Sequence, residues 1–287
     1  MPDNSQYLNK IIDGKAIAAT VLTNIKANIE KTSIKPGLAV IQVGSDPAST
    51  TYVKNKLLAC EKVGIQSFSY NLAEDISEAK LINAINELNN NNKIHGILVQ
   101  LPLPKQLNPR TICNSISQQK DVDGLSSNTL GKIMTSEHDR VLPCTPKGIM
   151  LILKQIQLNL VGVKCTIIGA SNIVGKPLAL ELIAAGATVT ICHKHTKNLQ
   201  ENIEAAELVI TAIGEIDIIK TTWIQKNAVI IDIGINKIGN QITGDIDFKS
   251  AIAIAKKITP VPGGVGPITV AMLMQNTMDA FAKNAAK

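Results

Sequence analysis

The sequence predicts an α/β protein of two domains, each built on a parallel sheet. At 287 residues the chain is longer than one compact core usually needs. Hydrophobic residues make up 45% of it but aromatic residues only 2%, so Ile, Leu, Val and Ala must fill the cores. Such cores suit parallel strands that helices cover on both faces. Strand-like and helix-like segments also alternate through both halves of the chain, as expected of βαβ units.

Charge and cysteine content limit the classes of function. The net charge is +6, but the basic residues are scattered and aromatic residues are rare, so no nucleic-acid partner is expected. A mild positive field would instead attract a small anionic substrate. The 5 cysteines form no CxxC pair, which predicts reduced thiols in a cytoplasmic protein and no zinc site. The first residues lack an apolar signal core and no apolar run approaches membrane-spanning length, so no membrane partner is expected.

The first half of the chain predicts successive βαβ units. Residues 37–43 are a continuous apolar run typical of a buried strand. The turn at 44–47 offers Ser or Asp as a helix cap and Pro47 for the first helical turn, and Gly64 can end that helix. A strand at 65–70, a helix at 77–88 and a strand at 94–100 follow. This order favours a parallel sheet with right-handed connections.

Polar residues follow these predicted strands, where open α/β sheets bind their ligands. Tyr52 and Lys56 are spaced i, i+4 and share one helix face, although such a pair is also common on plain helix surfaces. Gln100 closes the apolar run IHGILVQ, and residues 121–124 (DVDG) form an acidic loop. That loop lacks the later ligands and the closing Glu of a calcium loop, so no metal site is predicted.

The second half predicts a dinucleotide-binding βαβ unit. After the proline-rich joint PCTP, Thr145 can cap a helix from Pro146 to about Leu158. A strand, a glycine-containing turn, a helix ending at Gly186 and a second strand then follow within a short span. The predicted strands are 163–169, 187–193, 206–214 and 228–236.

The glycine turn and the end of the second strand indicate the cofactor. The turn reads GASNIVG (169–175), with Ser171 where GxGxxG has its second glycine. Backbone amides and this hydroxyl can hold phosphate oxygens, although a tight turn without a ligand stays open on spacing alone. The second strand ends in CHKHTK (192–197) without the Asp or Glu that binds ribose hydroxyls in NAD sites. Lys194 can pair with a 2′-phosphate, so the sequence predicts NADP.

A last candidate is the segment TPVPGGVGPIT (259–269). Two prolines flank Val261, and the adjacent glycines let a ligand approach the backbone closely. A plain connector remains an equal interpretation. Pro267 is expected to start the final helix.

Together these motifs resemble one family, the bifunctional methylenetetrahydrofolate dehydrogenase/cyclohydrolases. The matching segments occur in the family's order and span almost the whole chain. They are GSDPASTTYVKNKLLACEKVGI (44–65), GILVQLPLP (96–104), KDVDGL (120–125), PCTPKGI (143–149), GASNIVGKP (169–177), DIGIN (232–236) and TPVPGGVGPIT (259–269).

The resemblance implies a catalytic folate-binding domain of residues 1–142, completed by a C-terminal helix at 270–287. It implies a Rossmann-type NADP-binding domain at 143–269, a cleft between the domains, and a homodimer that pairs through the cofactor domain. The implied activity in one-carbon metabolism is NADP-dependent oxidation of 5,10-methylenetetrahydrofolate to the methenyl form, followed by hydrolysis to 10-formyltetrahydrofolate.

The resemblance also implies roles for single residues. Lys56 would be the main catalytic residue, assisted by Tyr52 and Gln100, because the hydrolysis requires proton transfer and hydride transfer requires no strong base. Asp123 would bind the donor edge of the pterin by a charge-assisted pairing. The other implied substrate-binding residues are Pro262, Gly263 and Gly264. The implied cofactor-binding residues are Gly169, Ala170, Ser171, Ile173, Val174, Gly175, His193, Lys194, Thr196 and Ile235.

Proteins of other classes fit the sequence less well. An inert folate or dinucleotide sensor would not need Lys56 with Tyr52 and Gln100. A 2-hydroxyacid dehydrogenase would need a His or Arg that polarises a carbonyl, and His95 and His138 lie outside the matched motifs.

Overall fold

The structure, a computed structural model, describes residues 4–216, 218–239 and 241–285 and divides into two compact units. The unit that we call three-stranded consists of Ala18–Cys144 and the chain from Val270 onward. The unit that we call five-stranded consists, among the described residues, of Thr145–Thr269 and residues 4–17.

The three-stranded unit is built on a parallel sheet with the strand order β2-β1-β3. The chain starts with a 3-10 helix (Asn4–Lys10) and α1 (Gly14–Ile29), and continues with β1 (Gly37–Val43), α2 (Pro47–Val63), β2 (Gln66–Leu72), α3 (Glu78–Asn89), β3 (Gly96–Val99), α4 (Pro109–Ser115) and α5 (Ser127–Met134). The central strand β1 is buried along its whole length, whereas the edge strand β2 is exposed at alternate positions. The parallel sheet predicted for the first half is confirmed.

Local sequence signals explain where α2 begins and ends. The Asp46 carboxylate accepts a hydrogen bond from the backbone N–H of Ser49 at 2.7 Å, and Pro47 occupies the first turn. Gly64 ends the helix in the left-handed conformation, with φ +89°. The carboxyl end of β1 therefore leads at once into the helix that carries Tyr52 and Lys56.

The five-stranded unit has a parallel sheet with the strand order β10-β7-β6-β4-β5. Its elements are α6 (Cys144–Gln155), β4 (Lys164–Ile168), α7 (Gly175–Ala184), β5 (Thr188–Cys192), α8 (Leu199–Glu204), β6 (Leu208–Thr211), a 3-10 helix (Thr221–Trp223), β7 (Val229–Asp232), the hairpin of β8 (Asn236–Ile238) and β9 (Gln241–Thr243), α9 (Phe248–Ile254) and β10 (Lys257–Ile258). The last helix, α10 (Val265–Ala285), belongs from Val270 onward to the three-stranded unit. The chain order reverses at β4, since β5 lies on one side of it and β6 on the other. Dinucleotides bind at the carboxyl ends of strands at such a reversal.

Two helices begin earlier than the sequence indicates. α6 begins at Cys144 and not at Pro146, and α10 begins at Val265 and not at Pro267. In each case the proline is the third residue of the helix. An N–H at that position has no acceptor within the helix, so a proline there costs no hydrogen bond.

The N-terminal segment packs with the five-stranded unit, whereas the domain division expected from the sequence placed residues 1–17 in the catalytic domain. Ile11 forms a parallel bridge with Ile258 at the edge strand β10. The Lys10 ammonium donates to the carbonyls of Ile252 at 3.2 Å and Ala253 at 2.9 Å, at the end of α9. No sequence motif marks this edge pairing. Among the described helices, none combines the length and the apolar character that a membrane crossing requires.

Candidate active site

A lysine and a glutamine meet at the carboxyl end of the three-stranded sheet. The Lys56 ammonium, on α2, donates a hydrogen bond to Oε1 of Gln100 at 2.9 Å. The Gln100 amide nitrogen donates to the carbonyl of Leu101 at 2.6 Å, so the amide oxygen must face the lysine. Both residues follow parallel strands, β1 and β3, which end at the same edge of the sheet. The ammonium is therefore held in one place and keeps further N–H donors for a ligand.

Tyr52 lies one helical turn before Lys56, as its spacing indicates. The residue is 37% exposed and so remains accessible to a ligand. Partial burial raises the pKa of the phenol above its usual value, so the hydroxyl is protonated at neutral pH.

The two carboxylates of the DVDG loop, Asp121 and Asp123, have different surroundings. Asp121 is buried, and its Oδ1 accepts from the backbone N–H groups of Gly124 at 2.9 Å and Leu125 at 3.3 Å. Its Oδ2 accepts from the N–H of Ser126 at 3.0 Å and the hydroxyl of Thr129 at 2.7 Å. Asp121 therefore shapes the turn that leads to Ser126, the N-cap of α5, which leaves Asp123 as the carboxylate available to a substrate.

Burial raises the pKa of Asp123, and the charge of Lys56 acts in the opposite direction. The nearby Asp121 carboxylate raises this pKa further, whereas a hydrogen bond from the Cys144 thiol lowers it. The charge of Lys56 thus acts on Asp123, which lies in the same unit as the hydrogen-bonded pair of Lys56 and Gln100. A partly desolvated carboxyl of this kind is typical of functional sites.

Asn276 on α10 fixes the backbone next to Asp123 and escaped the sequence analysis. Its side-chain amide donates to the carbonyl of Val122 at 2.8 Å and to that of Leu142 at 3.0 Å. The residue is only 4% exposed. An amide in the apolar run VAMLMQNTMDAF is the signal that could have revealed it, since a buried amide needs partners.

The glycine turn of the five-stranded unit lies between β4 and α7. Gly169 has φ +137°, and a Cβ there would lie 2.6 Å from the carbonyl oxygen of Ala212. A Cβ on Gly175 would collide with the carbonyl of Gly169, so both glycines permit close packing of the helix on the strand. The Ser171 hydroxyl accepts from the N–H of Val174 at 3.1 Å. Residues 171–173 are exposed, and no side chain caps the first turn of α7.

The end of β5 forms a tight turn that presents Lys194. The N–H of His193 donates to the Thr196 hydroxyl at 2.9 Å, and the N–H of Thr196 donates to the carbonyl of His193 at 2.8 Å. Lys194 is exposed at the tip, and the turn contains no acidic residue. A free helix N-terminus at β4 and a cation at β5 together fit a dinucleotide that carries a 2′-phosphate.

The glycines of the segment 259–269 allow a close contact with α1. Gly263 has φ +105°, which favours glycine, and a Cβ on Gly14 would collide with the carbonyl of Gly264. The first turn of α1 therefore supports the Pro262–Gly264 backbone from within the five-stranded unit. Ile235, another candidate, is 50% exposed after β7.

Comparison with known proteins identifies the chain. The model of the tetrahydrofolate dehydrogenase/cyclohydrolase catalytic domain matches residues 12–123, and the model of the family's NAD(P)-binding domain matches residues 143–285. The chain belongs to this family. Its recognition from the sequence motifs is thereby confirmed, as are the two-domain α/β fold and the dinucleotide-binding domain in the second half.

Similar proteins cover nearly the whole chain. The bifunctional protein FolD of Ruthia magnifica is 48% identical over 272 residues, which are 94% of this chain and 98% of that protein. The crystal structure of the bifunctional FolD dehydrogenase/cyclohydrolase from Campylobacter jejuni has a TM-score of 0.93 at 43% identity, covering 96% of this chain and 99% of that one. The Trypanosoma brucei dehydrogenase-cyclohydrolase, complexed with NADP and an inhibitor, has a TM-score of 0.93 at 30% identity, covering 96% and 98%.

Other candidate chemistries find little support in the described residues. His95 accepts a hydrogen bond at Nδ1 from the N–H of Gly37 at 2.9 Å and packs edge-on against Phe281, so it supports the start of β1. His138 is exposed on a surface turn. Within residues 4–216, 218–239 and 241–285, no three His, Cys, Asp or Glu side chains cluster as a metal site would require. That the chemistry needs no metal remains a prediction.

Proposed function

We propose that this chain oxidises 5,10-methylenetetrahydrofolate with NADP and hydrolyses the methenyl product to 10-formyltetrahydrofolate, with Lys56 as the residue that moves protons. The observation that carries the proposal is the hydrogen bond between Lys56 and Gln100, with a lysine whose charge acts on the Asp123 carboxyl. These side chains occupy the catalytic domain of a family named for both activities.

The oxidation needs placement more than a strong base. The methylene carbon loses a hydride, and the lone pair of a neighbouring nitrogen forms the new C=N bond, so no proton leaves. NADP, when bound, supplies the hydride acceptor. The protein's task is to hold the folate in register, which we assign to Tyr52 by ring contact and to Asp123 by hydrogen bonds from the aminopterin. The Pro262–Gly264 backbone contributes further substrate contacts.

The hydrolysis needs proton transfer at two points. Water adds to the methenyl carbon and loses one proton, which gives a neutral hydroxyl adduct. One carbon–nitrogen bond then breaks: its nitrogen gains a proton, and the hydroxyl loses its remaining proton as the formyl C=O bond forms. One proton is released overall. Lys56, fixed by Gln100, takes the first proton as the free amine and then, as the ammonium, gives a proton to the leaving nitrogen. The Gln100 amide keeps the nitrogen of Lys56 aimed at one position through both steps.

The cofactor phosphates are assigned to the five-stranded unit. The backbone of 169–175 and the first turn of α7 would hold the pyrophosphate, and Ser171 keeps a hydroxyl hydrogen to donate. Lys194, with the turn of His193 and Thr196, would hold the 2′-phosphate. Ile235 would pack against the cofactor after β7.

We expect Lys194→Ala to raise the KM for NADP about tenfold, because an exposed charge-assisted contact to the 2′-phosphate is lost. Binding of NAD, which lacks that phosphate, should stay within about twofold. Steady-state kinetics with both cofactors measures this, with Lys197→Ala as a matched control on the same loop. Equal efficiency of the wild-type protein with NADP and NAD would contradict the assignment.

Two assays test the proposed function. The first follows NADPH formation from 5,10-methylenetetrahydrofolate, and the second follows the absorbance decay of purified methenyltetrahydrofolate without cofactor. We expect both activities in the wild-type protein. Absence of either activity from the wild-type protein would refute the bifunctional assignment.

We also propose a homodimer that pairs along β5, in a cytoplasmic protein whose buried cysteines stay reduced. β5 is the edge strand of its sheet, with unpaired backbone groups that can pair with another chain. Exposed apolar side chains lie on or near it: Val161 is 72% exposed, Ile183 54% and Ile191 40%. A twofold axis would bring these residues against their own copies.

Light scattering tests the dimer. The wild-type protein should have about twice the 30.6 kDa mass of one chain, and Ile191→Lys should shift it towards the single-chain mass. Ile238→Lys, on the β8–β9 hairpin at 59% exposure, is the matched control and should remain dimeric. A wild-type protein with the mass of one chain would contradict the proposal.

A further inference from the structure

The five-stranded unit buries a carboxylate at the end of β7. Asp232 is 4% exposed. Its Oδ1 accepts from the N–H groups of Gly234 at 2.9 Å and Asp245 at 3.1 Å, and its Oδ2 accepts from the N–H of Ile246 at 3.0 Å. One side chain thus fixes both the loop after β7 and the loop after β9.

A second buried carboxylate, Asp245, lies beside the first and is 1% exposed. Its Oδ2 accepts from the hydroxyl of Thr211 at 2.7 Å and from the N–H groups of Ile213 at 3.0 Å and Gly214 at 3.2 Å. Its Oδ1 accepts from the Asn236 amide at 2.8 Å. Asp245 therefore fixes the loop after β6 and the start of the β8–β9 hairpin.

Two glycines leave the room that the two carboxylates occupy. A Cβ on Gly234 would collide with the Asp245 carboxylate, and a Cβ on Gly244 would collide with the Asp232 carboxylate. The Asp245 carboxylate thus lies directly against the loop after β7, which Asp232 fixes, and the Asp232 carboxylate lies against the loop after β9, which carries Asp245. The two loops are therefore interlocked through these side chains.

The network of Asp232 and Asp245 lies at the same edge of the sheet as the candidate cofactor residues. Across the parallel sheet, Cys192 of β5 pairs with Ile168 of β4, Ile168 pairs with Thr211 of β6, and Thr211 pairs with Asp232 of β7. With the 2′-phosphate at the end of β5 and the pyrophosphate at β4, a dinucleotide that continues in the same direction brings its nicotinamide to β6 and β7.

The network also reaches the segment that holds Pro262–Gly264. The backbone N–H of Asp232 donates to the hydroxyl of Thr259 at 2.7 Å, at the start of that segment. Asp232 therefore connects the loop after β7 with the backbone that we assign to substrate contacts.

Two adjacent buried carboxylates carry an electrostatic cost that their hydrogen bonds offset only in part. Burial, together with the neighbouring Asp245, raises the pKa of Asp232 to about 6, although the backbone N–H groups that it accepts oppose the rise. An electrostatic cost of this kind, at strand ends where ligands bind, is typical of residues that position a functional site.

We propose that Asp232 and Asp245 are positioning residues that hold the loops 212–214 and 233–235 in the shape that binds the nicotinamide end of the cofactor. The inference rests on the proposed function. Neither carboxylate needs to touch the cofactor, because both act through the backbone that they fix.

The test is Asp232→Asn, which keeps the shape but sets an amide N–H against a backbone N–H donor. We expect the Kd for NADPH, measured by fluorescence, and the KM for NADP to rise about tenfold or more. The cyclohydrolase kcat should stay within about threefold, because hydrolysis needs no cofactor. A protein that is merely destabilised would not separate the two activities in this way.

Two controls match this variant. Asp247→Asn removes an exposed carboxylate that caps α9 in the same unit, and it should leave NADPH affinity unchanged. Ile230→Ala removes packing from the same strand as Asp232, and it should lower the Tm without a comparable change in Kd. The inference would be overturned if Asp232→Asn bound NADPH with the wild-type Kd. It would also be overturned if, at a similar Tm, the Kd of Asp232→Asn rose no more than the Kd of Ile230→Ala.

Thr211→Val covers the case in which Asp232→Asn does not fold. This near-isosteric change removes one donor to Asp245, and we expect about threefold weaker NADPH binding. An unchanged Kd would again overturn the inference. If the wild-type protein itself binds no NADPH, the proposed function fails, whereas a binding wild type with unaffected variants refutes only the positioning role.

Discussion

Lys56→Met is expected to lower the cyclohydrolase rate by ~10²–10⁴-fold, the usual scale of general acid–base catalysis. Methionine keeps an unbranched side chain of similar length but removes the ammonium that donates to Gln100. The water that attacks and the nitrogen that leaves would then lack their proton carrier. The dehydrogenase should lose less, since hydride transfer depends on geometry and requires no proton to leave.

Absorbance decay of methenyltetrahydrofolate and formation of NADPH, measured on one preparation, separate the two effects. Lys54→Met is the matched control, because Lys54 is an exposed lysine on the same helix and no role is assigned to it. A folded Lys56→Met protein with full cyclohydrolase activity would overturn the mechanism. Equal loss of both activities would show that Lys56 mainly places the substrate.

The sequence predicts elements well where local signals are strong. The strand at 37–43 has the predicted bounds, because an apolar run ends at a turn with clear helix-start residues. The starts of α6 and α10 were misplaced because a proline fits any position of the first turn and so does not fix which one it occupies. The edge bridge of Ile11 was missed because pairing between residues so far apart in sequence leaves no local pattern.

The candidate site also combines features that local sequence predicts with features that only the tertiary structure creates. The one-turn spacing of Tyr52 and Lys56 predicts a shared helix face, but only the parallel sheet brings Lys56 within reach of Gln100. Nothing in DVDG tells which carboxylate faces inward, since both alternate with small or apolar neighbours. The hydrogen bonds of Asp121 settle that question for the turn.

The interlocked pair of Asp232 and Asp245 depends on tertiary structure alone. Asp232 lies in the quoted motif DIGIN, which suggested family membership but no role for the carboxylate. Asp245 lies in no motif, and its partner loops come from three separate segments. Such a network has no sequence period, because its donors are mostly backbone N–H groups that any residue supplies.

Asp123→Asn is expected to raise the KM for the folate substrate about 10–100-fold in both reactions, since a charge-assisted pairing with the pterin becomes a mismatched amide contact. NADP affinity should not change, because the assigned cofactor residues lie in the other unit. Asp121→Asn gives the contrasting result: it should lower the free energy of unfolding by about 1–3 kcal/mol, because buried N–H donors lose their acceptor.

The pH dependence provides a second test of Asp123. Burial raises the pKa of its carboxyl, so the carboxylate is lost at a higher pH than for an ordinary aspartate, and the wild-type folate KM should rise as the pH falls through that raised value. Asp123→Asn has no carboxyl to titrate and should lack this rise. Because the charge of Lys56 lowers the same pKa, Lys56→Met should move the rise to higher pH. A folate KM profile identical in wild type and Asp123→Asn would exclude Asp123 from the substrate site.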